Sequence, residues 1–392
     1  MDGVTIAEFC EGIAPQMPDQ PLRLFLAGDV MTGRGVDQIL TRPSPALLHE
    51  PYVNDAREYV RLAEAASGPV PRCVDPSHIW GDALEQWERM APAARIANLE
   101  TAVTRSDDYC RSKSIHYRMH PDNIACIRAA RFDVCVLANN HVLDFGCDGL
   151  VETLQTLKDA GIRTAGAGRN LDEARRTVVL SLPTGGRLLI TACGHESAGI
   201  PDDWAALTSD PGIDLLPELS EDAAAAVAGR VTAERRAGDV AIVSIHWGDN
   251  WGYEVPRRHA AIAHRLVERG VDIVHGHSSH HPRPIEVYRD RLILYGCGDF
   301  IDDYEGISGY ERYRDDLVLM FFPSLNPATG ELVALEMAPM QVRNIRLNRV
   351  STENARWLCD TLNRVSRPFN AGVMLTADGS LRLEGSGCRA AS

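Results

Sequence analysis

Five apolar, β-like runs in this chain each end in side chains that can hold a metal ion or move a proton. Residues 22–27 break into Gly28 and Asp29, and residues 95–99 carry Asn98 and stop at Glu100. Residues 132–137 lead to Asn140 and His141, residues 239–245 end at His246, and residues 271–274 run into His275 and His277. Between them lie helix-patterned segments at 83–90, 221–237 and 257–269. Another spans 150–160, where Leu150, Leu154 and Leu157 recur at helical spacing and Gly161 stops the run. Strands alternating with helices predict an α/β domain. In an open α/β sheet ligands gather beyond the carboxyl ends of the strands. One strand ending in His is ordinary, whereas five such endings predict a single convergent site.

The rest of the chain organises around that unit. Hairpins are predicted at 178–182 with 188–192, turned at 184–186, and at 285–288 with 292–295. Strands near 317–322 and 332–340 precede a helix at 353–365, and the Gly/Ser-rich tail from Asp378 is expected to fray. This divides the chain into an extension at 1–20, a main domain at 21–345 and a terminal helix and tail at 346–392. Residues 42–76, polar and Pro-rich with a helix near 56–66, read as an insertion in the main domain.

Composition narrows the function classes. Hydrophobic residues make up 45% and charged residues 24%, the balance of a soluble globular protein. The net charge of −14 repels polyanions, so no nucleic acid partner is expected, and the same repulsion weighs against a long polyglutamate. The 10 cysteines include no CxxC pair, which suits a reducing compartment. The first 20 residues carry Asp2, Glu8, Glu11 and Asp19 without a sustained apolar stretch. Neither a signal peptide nor a membrane anchor is expected there, and the expected location is cytoplasmic.

The residue types suit a borderline divalent cation such as Zn, Mn, Fe or Ni, because imidazole and carboxylate ligands occur together without thiolates. The densest signal is 275–281, where His275, His277, His280 and His281 take 4 of the 13 histidines. HxH spacing on an extended segment puts both rings on one side. The plain alternative is a solvated polar loop. Asp144, three residues after His141, is placed to orient that imidazole, though an acidic residue in a first helical turn has the same position. Arg34 offers a planar fork to a carboxylate or phosphate, or forms a surface ion pair. Asn98, Trp247 and Trp251 are candidate pocket residues, with a turn role for Asn98 and plain core for the tryptophans as the alternatives.

The runs at 26–31, 97–100, 137–144, 244–248 and 275–277, with Tyr295-Gly296-Cys297-Gly298-Asp299-Phe300, resemble one known family. It is the capsule or poly-γ-glutamate synthesis (CapA-type) branch of the metallophosphoesterases, matched in order over about residues 21–345. The resemblance implies a four-layer α-β-β-α sandwich of the calcineurin-like type, with one or two divalent ions at the strand ends. Carried over by position, Asp29, Glu100, Asn140, His246, His275 and His277 look like the metal ligands and His141 the outer acid or base. Met31 stands where the phosphoesterase pattern has a His two residues after the first Asp, and Glu100 replaces its middle bridging Asp.

Two reactions suit such a site. One is hydrolysis of a phosphoester or amide bond, or an accessory role in capsule synthesis. The other, implied by a soluble family member, is epimerisation of a ribosomally made peptide. It inverts the C-terminal tryptophan of a lasso-peptide precursor, with His141 and one of His280 or His281 as acid and base on opposite faces. The second is the leading expectation from the sequence, with a peptide as the partner.

Overall fold

A computed structural model describes residues 20–182 and 185–384. Thr184 of the first predicted hairpin turn lies outside the described residues. So do all of the expected N-terminal extension but Gln20 and the last eight residues of the tail.

Two sheets carry a mixed α/β fold. The main path of the larger, 11-stranded sheet begins with Gly372–Leu375, Leu381–Glu384, Leu332–Val342 and Leu317–Leu325. It continues through Phe25–Val30, Arg95–Leu99, Val134–Val136 and Arg163–Ala165. The last four of these pair in parallel. The smaller, 7-stranded sheet runs through Leu215–Leu216, Arg187–His195, Val240–His246, Ile273–His277, Arg291–Leu294 and Ile285–Tyr288. Its seventh strand, Val178–Ser181, lies on Arg187–His195.

The period of two along Val240–His246 shows how the layers meet. Val240 and Ile242 point into a core shared with Leu26 and Ile96 of the larger sheet. Ala241, Val243 and Ile245 point the other way, onto the helices Glu221–Thr232 and Arg257–Glu268. Each fully buried Val or Ile side chain there contributes about 1.5–3 kcal/mol of transfer free energy. The strand is therefore apolar on both faces from Val240 to Val243, and Ser244 and His246 are where that run gives way to polar side chains.

Most predicted elements appear with shifted ends. The helix expected over 221–237 starts on its Ser220 cap, whose Oγ accepts from the Ala223 amide at 3.2 Å, and stops at Thr232. Beyond it Arg235 turns to Asp272 Oδ2 at 2.6 Å, and the Arg236 amide donates to Asp239 Oδ2 at 2.8 Å. The tail differs more. Instead of fraying from Asp378, residues Leu381–Glu384 form a strand paired with Gly372–Leu375 and Leu332–Val342. Its alternation buries Leu381 and Leu383.

Candidate metal centre

Strand register brings the polar endings together. Asp299, on the short strand Asp299–Ile301, pairs with Asp29, and Asp29 pairs with Asn98 on its other side. In the smaller sheet His246 pairs with His277 and Ser244 with His275. Gly28 permits the crossing beside Asp29: a Cβ there would lie 1.7 Å from the Gly298 carbonyl oxygen. That same carbonyl accepts from the Asp29 amide at 3.0 Å.

Asp29 belongs to two groups whose ligand-type atoms lie within 4.8 Å of one another, one with His246 and His277, the other with His280 and Asp299. All five side chains are buried. In the first group His246 Nδ1 and His277 Nδ1 face each other at 2.8 Å, and His277 Nδ1 stands 3.9 Å from Asp29 Oδ1. In the second, His280 Nδ1 lies 2.9 Å from Asp299 Oδ1, while Asp299 Oδ2 is buried without a hydrogen-bond partner. Ser278 has φ +106, a strained value for a residue with a Cβ, and its amide donates to Asp29 Oδ2 at 3.2 Å.

The electrostatics fit a cation. Burial, then the Asp299 charge, raises the Asp29 carboxyl to about 7. Burial followed by neighbouring carboxylates raises Glu100 and Asp299 well above the usual range. Ionised carboxylates packed this closely are costly unless a positive charge joins them. Burial also holds the imidazoles neutral, His246 and His277 far below the ordinary value and His280 at about 4. Neutral imidazole with a lone pair is the ligand form. Carboxylate and imidazole donors around a shared Asp suit divalent metal.

The neighbouring predicted residues take distinct places. Asn140 Oδ1 meets His246 Nε2 at 2.9 Å and so holds that ring. Glu100 lies beside the groups, its Oε1 3.8 Å from His141 Nε2 and 3.9 Å from His246 Nε2. Asn98 is fully buried beneath them, donating from Nδ2 to Asp29 Oδ1 at 2.8 Å and to Glu100 Oε2 at 3.0 Å. His141 turns Nδ1 to Asp144 Oδ2 at 2.6 Å, which leaves Nε2 facing the carboxylates. Burial outweighs the Asp144 charge and lowers His141 to about 4.

Four predicted residues stand apart from the two groups. His275 lies one pleat deeper than His277, and its ring nitrogens meet Ser244 Oγ at 3.0 Å and the Ala27 carbonyl at 2.9 Å. His281 is committed on both sides, to the Gly252 amide at 3.1 Å and the Pro282 carbonyl at 3.3 Å, with its ring stacked on Tyr313. Arg34 is neither at the surface nor open to a ligand. It grips Asp303 at 2.5 Å, Glu50 at 3.2 Å and the Tyr59 hydroxyl at 3.1 Å, all buried. Trp247 is core, stacked on His259 and donating to the Tyr295 carbonyl at 3.1 Å. Trp251 alone of the two tryptophans borders the centre, its ring against His280 and stacked on Tyr310 at 4.0 Å.

Three residues that the strand-end reading passed over also belong here. Asp299 repeats the Gly-Asp ending of the first strand, in a run too short to stand out. Lys113 reaches Asp144 Oδ1 at 2.5 Å and the Asn140 carbonyl from a loop with no strand signal. Asn139 Nδ2 ties Asn98 Oδ1 at 3.0 Å to the Leu99 carbonyl at 2.8 Å.

Comparison with known proteins supports the family resemblance read from the sequence. A probable polyglutamine synthesis accessory protein of Mycobacterium tuberculosis is 46% identical over 361 residues, covering 92% of this chain and 95% of the relative. The PGA biosynthesis protein CapA of Bacillus subtilis is 26% identical over 250 residues, 62% of this chain and 60% of that protein. Among solved structures, a 5'-nucleotidase precursor from Thermus thermophilus aligns with 89% of this chain and 59% of its own, at 15% identity and a TM-score of 0.46. Residues 23–304 match the family model for the bacterial capsule synthesis protein PGA_cap, and the chain belongs to that family.

Proposed function

We propose that this protein is an accessory hydrolase of polyglutamyl polymer synthesis, cutting amide bonds at a divalent-metal centre on a four-layer α-β-β-α scaffold. The observation that carries the reading is Asp29, shared by two donor groups with His141 beside them. Relatives named for polyglutamine and PGA synthesis supply the substrate class. Asp29, His246, His277, His280 and Asp299 would hold the metal. Bound there, divalent cations polarise an acyl oxygen and lower the pKa of water.

The remaining groups of the chain have roles that follow from their positions. Asp144 fixes the His141 tautomer through Nδ1, so Nε2 takes a proton from the attacking water and returns it to the leaving amine. Lys113 holds Asp144 and the Asn140 carbonyl, keeping the 139–144 loop in register with His246. Asn98 donates to Asp29 and Glu100 at once and sets the spacing of the two carboxylates.

The peptide epimerase expected from the sequence has no support among the relatives' names. It also needs a second acid or base facing His141. His280 would give the metal its Nδ1, beside Asp299, and meets the Asn250 amide group with Nε2 at 2.9 Å, and His281 is committed as described. One incubation separates the readings: full-length protein, Mn²⁺ and a γ-linked oligoglutamate in heavy water, followed by mass spectrometry. The hydrolase reading expects shortened chains that vanish with chelator. Deuterium at an α-carbon of an uncut peptide would instead establish proton-transfer chemistry and overturn it.

A further inference from the structure

We infer that a basic groove remote from the metal centre binds an extended anionic polyamide, a glutamate rather than a glutamine chain. The inference rests on the polymer reading above and sharpens it to a charge class. The groove, about 490 Å³, lies between Arg163–Ala165 at the end of the larger sheet and Val178–Ser181 at the edge of the smaller one. None of the metal-centre residues lines it.

Its charge runs against that of the molecule. Lys158, Arg163, Arg169 and Arg176 line it with a single carboxylate, Glu173, in a chain of net charge −14. Arg169 is partly spent on Glu173, 3.6 Å away, and on Gln155 Oε1 at 3.1 Å. Lys158, Arg163 and Arg176 make no ion pair among the described residues. Arg163 also acts on the Asp133 carboxylate, which lies outside the groove lining, and the three cations around one concavity create a local positive potential that recruits anions against the overall field.

The groove walls favour a polyamide over other polyanions. Both bounding strands are outer strands, Arg163–Ala165 paired with Val134–Val136 and Val178–Ser181 with Arg187–His195. An outer strand leaves backbone N–H and C=O groups; an amide chain brings both donors and acceptors to them, whereas the phosphates of a sugar-phosphate chain accept from the N–H groups and bring no donor for the C=O groups. Val178 is buried in the wall and Val179 exposed on it, giving apolar surface for methylene groups. A neutral glutamine chain would satisfy the strand edges and leave the cations unused.

The test is fluorescence anisotropy on the full chain with a labelled γ-linked deca-glutamate, alongside hydrolysis of the same polymer. The expected result is salt-sensitive binding that weakens about tenfold or more in the double variant Arg163→Glu, Arg176→Glu. The Gln pair at the same positions should weaken it less, and unchanged melting temperatures show that both variants fold. Asp29→Asn should bind like the parent, and a deca-glutamine should not compete. Parent-like binding by the Glu double variant overturns the groove, as does equal competition by deca-glutamine or by DNA of equal charge. The two proposals fail separately. Binding that is lost in the double variant, with no cleavage by the parent, removes the hydrolase and keeps the groove. Cleavage by the parent with unaltered binding and KM in the double variant does the reverse.

Discussion

In the proposed reaction Asp29 and His141 divide the work of the centre, one holding charge and the other moving protons. His141 can exchange a proton through Nε2 because Asp144 occupies Nδ1. His141→Ala should therefore lower kcat by about 10²–10⁴-fold while leaving the metal content intact. Burial depresses the His141 pKa to about 4, whereas the Asp144 charge raises it. The imidazole is then neutral, and able to accept a proton, at any pH above about 4. In a pH profile of kcat/KM the acid limb should fall only near that value. Asp144→Asn removes the raising charge and should move the limb to still lower pH. A limb left near the ordinary histidine value in both proteins would contradict this role. At this scale Asp29, His246 and His277 were legible because each follows an apolar run. His275 shows the limit of spacing: two residues along a strand keep the same side but descend one pleat, toward Ser244 and the Ala27 carbonyl. The guanidinium of Arg34 was equally opaque, since its partners Glu50 and Asp303 lie 16 and 269 positions away.

The strands position these side chains, and the tightest point is where Phe25–Val30 meets the approach to Asp299–Ile301. Gly28→Ala would drive a methyl group into the Gly298 carbonyl, a backbone atom that cannot swing away. Overpacking of this kind costs about 1–3 kcal/mol, and here it also parts Asp29 from Asp299. Thermal unfolding should show a lower melting temperature and metal analysis a loss of cation. An unchanged melting temperature would show that the crossing yields. Element order was readable from periodicity, and the hairpin Ile285–Tyr288 with Arg291–Leu294 lies within one residue of the predicted ranges. Asp299–Ile301 was not, because three residues give no alternation to detect. The strand Leu381–Glu384 was masked by the Gly/Ser composition around it, though Leu381 and Leu383 alternate with Arg382 and Glu384.

Across the whole molecule, the acidic centre sets stability against function. The Asp29 carboxyl titrates at about 7 in the fold against 3.8 as an isolated group. The folded state thus keeps a proton that the unfolded chain releases, so stability falls as pH rises from 3.8 to about 7, and the full cost persists above. Without metal at about pH 8, Asp29→Asn should melt higher than the parent, because it removes a buried charge. With Mn²⁺ the order should reverse, since the cation binds the ionised carboxylate of the folded parent. The same melting order in both conditions would contradict this linkage. Among the described residues no helix is long and apolar enough to cross a membrane. The net charge, which by itself speaks against an anionic polymer, is answered locally by the Lys158, Arg163 and Arg176 groove.

The most direct measurement is the metal content of the full-length protein after loading with Mn²⁺ and desalting, compared with Asp29→Asn, His246→Ala and His280→Ala. A centre built on a shared carboxylate predicts two equivalents in the parent, about one in each histidine variant and none in Asp29→Asn. Parent-like metal content in Asp29→Asn would contradict it.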